Sequence, residues 1–155
     1  ACMYFGNDQY KQAVYWLNEI INAKDDNIRS DISGFARILN LISHYELKND
    51  DLVEYYIRST YRFLGKKDDL HFYQTRILRF LKKLNNITTD SDLRNAFADL
   101  REHLIPLTTN PYEKRAFVYF DIISWLESKI QSRPVKEVIR EKALKRISSA
   151  NAKGM

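Results

Sequence analysis

The chain carries one cysteine, three prolines and four glycines among its 155 residues. A lone Cys2 excludes an intrachain disulfide framework and any zinc site built from several cysteines. So little Gly and Pro argues against a turn-rich all-β fold, which depends on those residues at its turns. No stretch approaches the ~20 apolar residues of a membrane-spanning helix. The nearest, Ala116 to Leu126, is short and interrupted by Asp121. The basic-then-apolar start of a secretory signal is missing too. Neither a Gly-x-Ser-x-Gly elbow, a phosphate loop nor a dinucleotide fingerprint occurs, and no pattern calls for a cofactor. The expectation is a helical, soluble, cytoplasmic protein that is not an enzyme. Because the chain opens Ala1-Cys2-Met3 and is already periodic by Tyr10, it reads as a piece of a longer protein.

What is present is apolar content and basic charge. Hydrophobic residues make up 45%, enough for a real core, and a mass of 18.4 kDa fits one domain. The net charge is +5 and rises along the chain. Residues 1–50 hold 5 basic and 7 acidic groups, residues 51–100 hold 9 and 7, and residues 101–155 hold 11 and 6. That gradient permits an acidic partner without requiring one.

Helical periodicity predicts about seven helices and no strand. The first runs from about Gln9 to Ala23 behind a Gly6-Asn7-Asp8 turn, with Tyr10, Ala13, Val14, Leu17, Ile20 and Ile21 inward. An Asp25-Asp26-Asn27 break precedes a second helix from about Ile28 to Leu47. Its apolar stripe (Ile32, Phe35, Ala36, Leu39, Ile42) is widened by Ile38, Leu41 and Tyr45, which implies more than one neighbour. Gly34 inside it costs ~1 kcal/mol relative to Ala, and close approach of another helix would explain it. The third helix follows Asn49-Asp50-Asp51 and ends at Gly65. The fourth spans about Asp69 to Leu84, with Leu70, Tyr73, Ile77 and Phe80 inward. The fifth is capped by Thr89-Asp90 and buries Leu93, Ala96, Phe97, Leu100, Leu104 and Leu107.

Asn110-Pro111-Tyr112-Glu113 is the clearest start signal, with Asn110 as cap and Glu113 closing a capping box. The sixth helix then runs to about Gln131, apolar nearly all round and so expected to be buried. A seventh, basic on its outer face, runs from Ser132-Arg133-Pro134 to about Ile147. Residues 1–147 are thus expected to form one domain, and residues 148–155 a flexible tail. Short links make successive helices antiparallel neighbours.

The turn-then-helix units recur. Tyr10-Lys11-Gln12-Ala13 precedes Leu17, Asp50-Asp51-Leu52-Val53 precedes Ile57, and Leu93-Arg94-Asn95-Ala96 precedes Leu100. Their anchors Ala13, Val53 and Ala96 are 40 and 43 residues apart. On these residues the chain resembles tetratricopeptide-type helical repeats. Tyr10, Ala13 and Leu17 look like that family's second-helix signature, and Gly6-Asn7-Asp8 stands near its Gly-Asp turn. Glu46 to Asn49 with Glu54 to Leu64 is similar to bacterial proteins of this repeat type. The resemblance covers about Met3 to Leu84 and lacks the family's Pro at the repeat ends. It implies an all-α, right-handed α-solenoid of antiparallel helix pairs, with a concave groove that binds a peptide or protein. It brings no fixed site residues.

Several constellations have a plain reading and a functional one. His44, His71 and His103 form no two-His pair at helical spacing; His103 falls on the apolar face of its helix and reads as a hydrogen-bonded core histidine rather than a metal ligand. Asp121, between Phe120 and Ile122, should be ion-paired or have a raised pKa. Arg58 and Arg62 share one helix face, and Arg76, Arg79 and Lys83 share a face of the next. A solvated surface neutralised by Asp51, Glu54, Asp68 and Asp69 is the plain reading. A merged basic strip for an acidic peptide, with Tyr55 and Tyr61 as aromatic neighbours, is the functional one. Nucleic-acid binding through Lys136, Arg140, Lys145 and Arg146 ranks second. Tyr4, Phe5, Tyr15 and Trp16 read as a recognition surface or an uncovered repeat interface.

Overall fold

The computed structural model describes residues 1–23, 29–65, 71–84 and 86–153, with side chains through residue 150. Among the described residues every regular element is helical: α1 (Cys2–Gly6), α2 (Tyr10–Asn22), α3 (Ser30–Glu46), α4 (Asp50–Gly65), α5 (Phe72–Leu84), α6 (Asp90–Leu104), a 3-10 turn (Ile105–Thr108), α7 (Lys114–Tyr119), α8 (Ile122–Gln131) and α9 (Val135–Lys153). The expected break at Asp25 to Asn27, the helix start at Ile28, the start at Asp69 with Leu70 inward, and the acids Asp68 and Asp69 lie outside the described residues.

α3 is the hub. From Gly34 to His44 every residue except Arg37 is buried, as its wide apolar stripe predicts. It packs against α2, α4 and α5. Gly34 is the point of closest approach. A Cβ there would sit 2.9 Å from Gln74 Nε2 and 3.2 Å from Leu64 Cδ2. Gln74 is itself fixed: its Nε2 donates to the Tyr73 hydroxyl (3.2 Å) and its Oε1 accepts from the His71 amide (3.1 Å). Three helices thus meet where α3 has no side chain.

The apolar centre is aromatic. Trp125 on α8 is fully buried and meets Phe97 edge-on at 5.6 Å; Phe97 in turn meets Phe80 at 4.9 Å. The Trp125 indole N–H donates to Glu46 Oε1 at 2.6 Å, tying α8 to the end of α3. Lys129, one turn further along α8, pairs with the same carboxylate.

The sixth expected helix is two helices. Phe120 is extended (φ −154°, ψ 139°), and Asp121 starts α8 as its N-cap, accepting from the Ser124 amide (3.0 Å) and hydroxyl (2.6 Å). Its carboxylate is therefore spent on a helix start, with Lys142 4.0 Å away, and does not sit inside an apolar helix. The break also turns Val118 outward, so the segment is not buried all round. Glu113 closes no capping box. Asn110 Oδ1 accepts from the Tyr112 amide, α7 begins only at Lys114, and the Glu113 carboxylate reaches back to α5. Leu107 falls in the 3-10 turn, because Pro106 has no N–H with which to extend α6.

α1 meets the start of α9. Phe5 on α1 is fully buried and contacts Phe120 at 4.8 Å, and the Val135 amide at the start of α9 donates to Asp8 Oδ1 (3.2 Å). Asp8, Lys48 and Ser132 close the turns after α1, α3 and α8 with positive φ, a conformation usually given to Gly or Asn.

Candidate functional site

α5 buries Tyr73, Gln74, Ile77, Leu78, Phe80 and Leu81. That leaves Arg76, Arg79 and Lys83, spaced i, i+3, i+7, on the exposed side beside α6. There they form one wall of a groove of about 270 Å³ between the two helices. Its floor is apolar (Phe80, Ile87, Ala96, Leu100), and Asp99 and His103 stand on the opposite wall. The Asp99 backbone oxygen accepts from His103 Nδ1 at 2.7 Å, and the Asp99 carboxylate, exposed to solvent, lies 3.5 Å from the same ring. Among the described residues no carboxylate pairs with Arg76, Arg79 or Lys83.

His103 is thus a groove residue exposed to solvent, not a core histidine. The buried stripe of α6 is Phe97, Leu100 and Leu104, and His103 lies one position off it.

The α4 part of the expected site sits elsewhere. Val53, Ile57, Thr60 and Leu64 turn inward, and Arg58 and Arg62 face away from them. Arg58 NH1 donates to Glu54 Oε1 (3.0 Å), the neutralising pair the plain reading anticipates. Tyr55 is exposed and rests edge-on against Tyr56; Tyr61 is half-buried against the core. None of these four lines the α5–α6 groove. Around α9, Lys145 and the preceding Arg133 pair with Glu141, and Lys142 with Glu127 of α8, leaving Lys136, Arg140 and Arg146 exposed. Of the N-terminal aromatics, Phe5 is core, whereas Tyr15 and Trp16 are exposed and meet edge-on at 5.3 Å.

A larger cleft, about 590 Å³, opens between the starts of α3 and α5 and the Pro111–Tyr119 segment. Glu113, buried in its floor, accepts from the amides of Phe72 (3.0 Å) and Tyr73 (3.1 Å) and lies 3.4 Å from His71 Nδ1. A carboxylate from a distant segment thereby satisfies the first amides of α5 and complements its dipole. On the wall, Asp31 accepts two bonds from Arg29 (2.8 and 3.1 Å), one from the Tyr119 hydroxyl (3.1 Å) and one from Arg115 (3.4 Å). Burial alone would raise the Asp31 carboxyl; those bonds outweigh it and hold the group below its ordinary value. Tyr119 is raised by burial and by its bond to Asp31, and burial likewise raises Tyr73.

Comparison with models of known families, with curated proteins and with solved structures finds no match to the chain. The sites above therefore stand on geometry alone. Among the described residues, no three His, Cys, Asp or Glu side chains come together as a metal-holding group, and no helix is long and apolar enough to cross a membrane.

Sequence reasoning misses the cleft because its parts lie 40 to 88 residues apart. The local signal was the Asn110-Pro111 turn, which marks where Glu113 sits but not what it reaches.

Proposed function

We propose that this chain is a non-enzymatic interaction module that binds an acidic segment of a protein partner in the α5–α6 groove. The observation that carries the reading is the wall of Arg76, Arg79 and Lys83, unpaired by any described carboxylate and standing over an apolar floor. An acidic amphipathic helix or strand fits both features: apolar side chains on Phe80 and Leu100, carboxylates on the three cations. Tetratricopeptide-type recognition goes with this reading. From α2 to α6 each consecutive helix packs on the next, as stacked pairs do. A right-handed solenoid is the arrangement proposed for that run. Past it, α8 returns to α3 and α9 meets α1, so the run is closed off rather than open-ended.

Each rim ion pair is worth about 0.2–1 kcal/mol, so the cations set on-rate and specificity more than affinity. The test is fluorescence anisotropy with a labelled Glu/Leu amphipathic peptide. Double reversal Arg79→Glu with Lys83→Glu should weaken binding more than about tenfold, and Arg58→Glu with Arg62→Glu should leave it unchanged. The opposite pattern sinks the α5–α6 assignment. A single-stranded oligonucleotide of equal charge serves as the second arm. Tighter, steeply salt-dependent binding to it would move the function to nucleic acid and to α9.

A further inference from the structure

The cleft at the starts of α3 and α5 has its own chemistry. Its volume, about 590 Å³, falls within the range of small-molecule sites, roughly 300–1,000 Å³. The hydrogen-bond inventory separates its charges. Both carboxylates are spent: Asp31 accepts four bonds, and Glu113 accepts two amides with His71 beside it. Both lining cations have donors left. Arg115 gives Asp31 only one long bond of its five N–H groups, and Lys114 has no ion pair among the described residues. The rim is apolar and open, with Tyr112 83% and Val118 81% exposed.

Spare positive donors beside an exposed aromatic and a branched aliphatic side chain select an anion with an apolar body. We infer that this cleft binds a small aromatic carboxylate, its carboxylate on Lys114 and Arg115 and its ring against Tyr112 and Val118. The Arg29 and Tyr119 bonds fix the Asp31 carboxylate, which Arg115 reaches at 3.4 Å. This site is separate from the α5–α6 groove and does not depend on the function proposed for it.

The test is calorimetric titration of the full chain with naphthoate, with its neutral analogue naphthylmethanol and with the cation naphthylmethylammonium. Saturable one-to-one binding of naphthoate is expected, about tenfold tighter than the alcohol, with the cation weakest. Lys114→Gln should lose about that factor and Lys114→Arg should keep it. The Lys114 side chain is exposed and forms no ion pair among the described residues, so the fold tolerates both variants. Ring-proton shifts of Tyr112 should saturate with the same constant. Equal binding of acid and alcohol, preference for the cation, or indifference to Lys114→Gln overturns the inference. So does loss of naphthoate binding in the Arg79→Glu, Lys83→Glu variant, which would put the ligand in the other groove.

Discussion

His44, 5% exposed, is stacked on Tyr56 with ring centroids 4.9 Å apart. The Asn49 Nδ2 can only donate, so His44 Nδ1 accepts from it and the proton of the neutral ring sits on Nε2, which is buried without a partner. Burial pushes the His44 pKa below its ordinary 6.5. The folded state therefore takes up this proton less readily than the unfolded chain. Above about pH 6.5 both states are neutral and the histidine costs nothing. As pH falls through that value the unfolded state gains the proton first and stability drops, by at most about 1.4 kcal/mol per pH unit. Urea midpoints between about pH 7.5 and 5 should show this slope in the native chain and a shallower one in His44→Gln. Equal slopes would show that His44 is free to charge in place. The apolar pattern points to His103 as the core histidine, whereas His44 is the buried one. Both lie near apolar neighbours, and the choice depends on which flank of each helix faces a partner. Arg37, half-buried with its Nε unpartnered, lies over the Phe63 ring at 3.9 Å with no described carboxylate partner, and burial lowers its pKa. Together with Asn40, whose Oδ1 is also unpartnered, these residues form a polar stripe down α3 that the apolar pattern of the helix conceals.

At the scale of elements, the helix ends decide most of the difference between pattern and structure. The cap at Thr89 was legible: it accepts from the Asp92 amide at 3.1 Å, as the Thr-Asp signal implies. The α7–α8 break was not, because neither Pro nor Gly marks it and Phe120 looks like one more apolar helical position. Only Asp121 carried the signal: it is expected to be ion-paired, and besides lying 4.0 Å from Lys142 it caps α8. Asp121→Ala should cost about 1 kcal/mol, the usual value of an N-cap. Glu113→Ala should cost more, about 2–3 kcal/mol, because it strands two α5 amides that a charged group now satisfies. Urea denaturation of both variants ranks them, and an Asp121 variant costlier than the Glu113 one would mean that α5 is not held from a distance. α9 continues to Lys153, past the expected end at Ile147.

For the molecule as a whole, helix content and the central place of α3 followed from periodicity and from a stripe too broad for one neighbour. The meeting of α1 with α9 and of α3 with α8 did not, because contacts between residues 79 to 127 apart leave no local trace. The same limit split the expected basic strip. Arg76, Arg79 and Lys83 share a groove, while Arg58 and Arg62 share only a helix face. Whether the proposed acidic partner would sit in the α5–α6 groove is the question with the most at stake. Hydrogen–deuterium exchange of the full chain, with and without the Glu/Leu amphipathic peptide, reads that position directly. Recognition in the groove requires added protection confined to the α5 and α6 peptides around Arg76 to Lys83 and Ala96 to His103. Protection along α4 or α9 instead, or none at a peptide concentration that saturates binding, contradicts it.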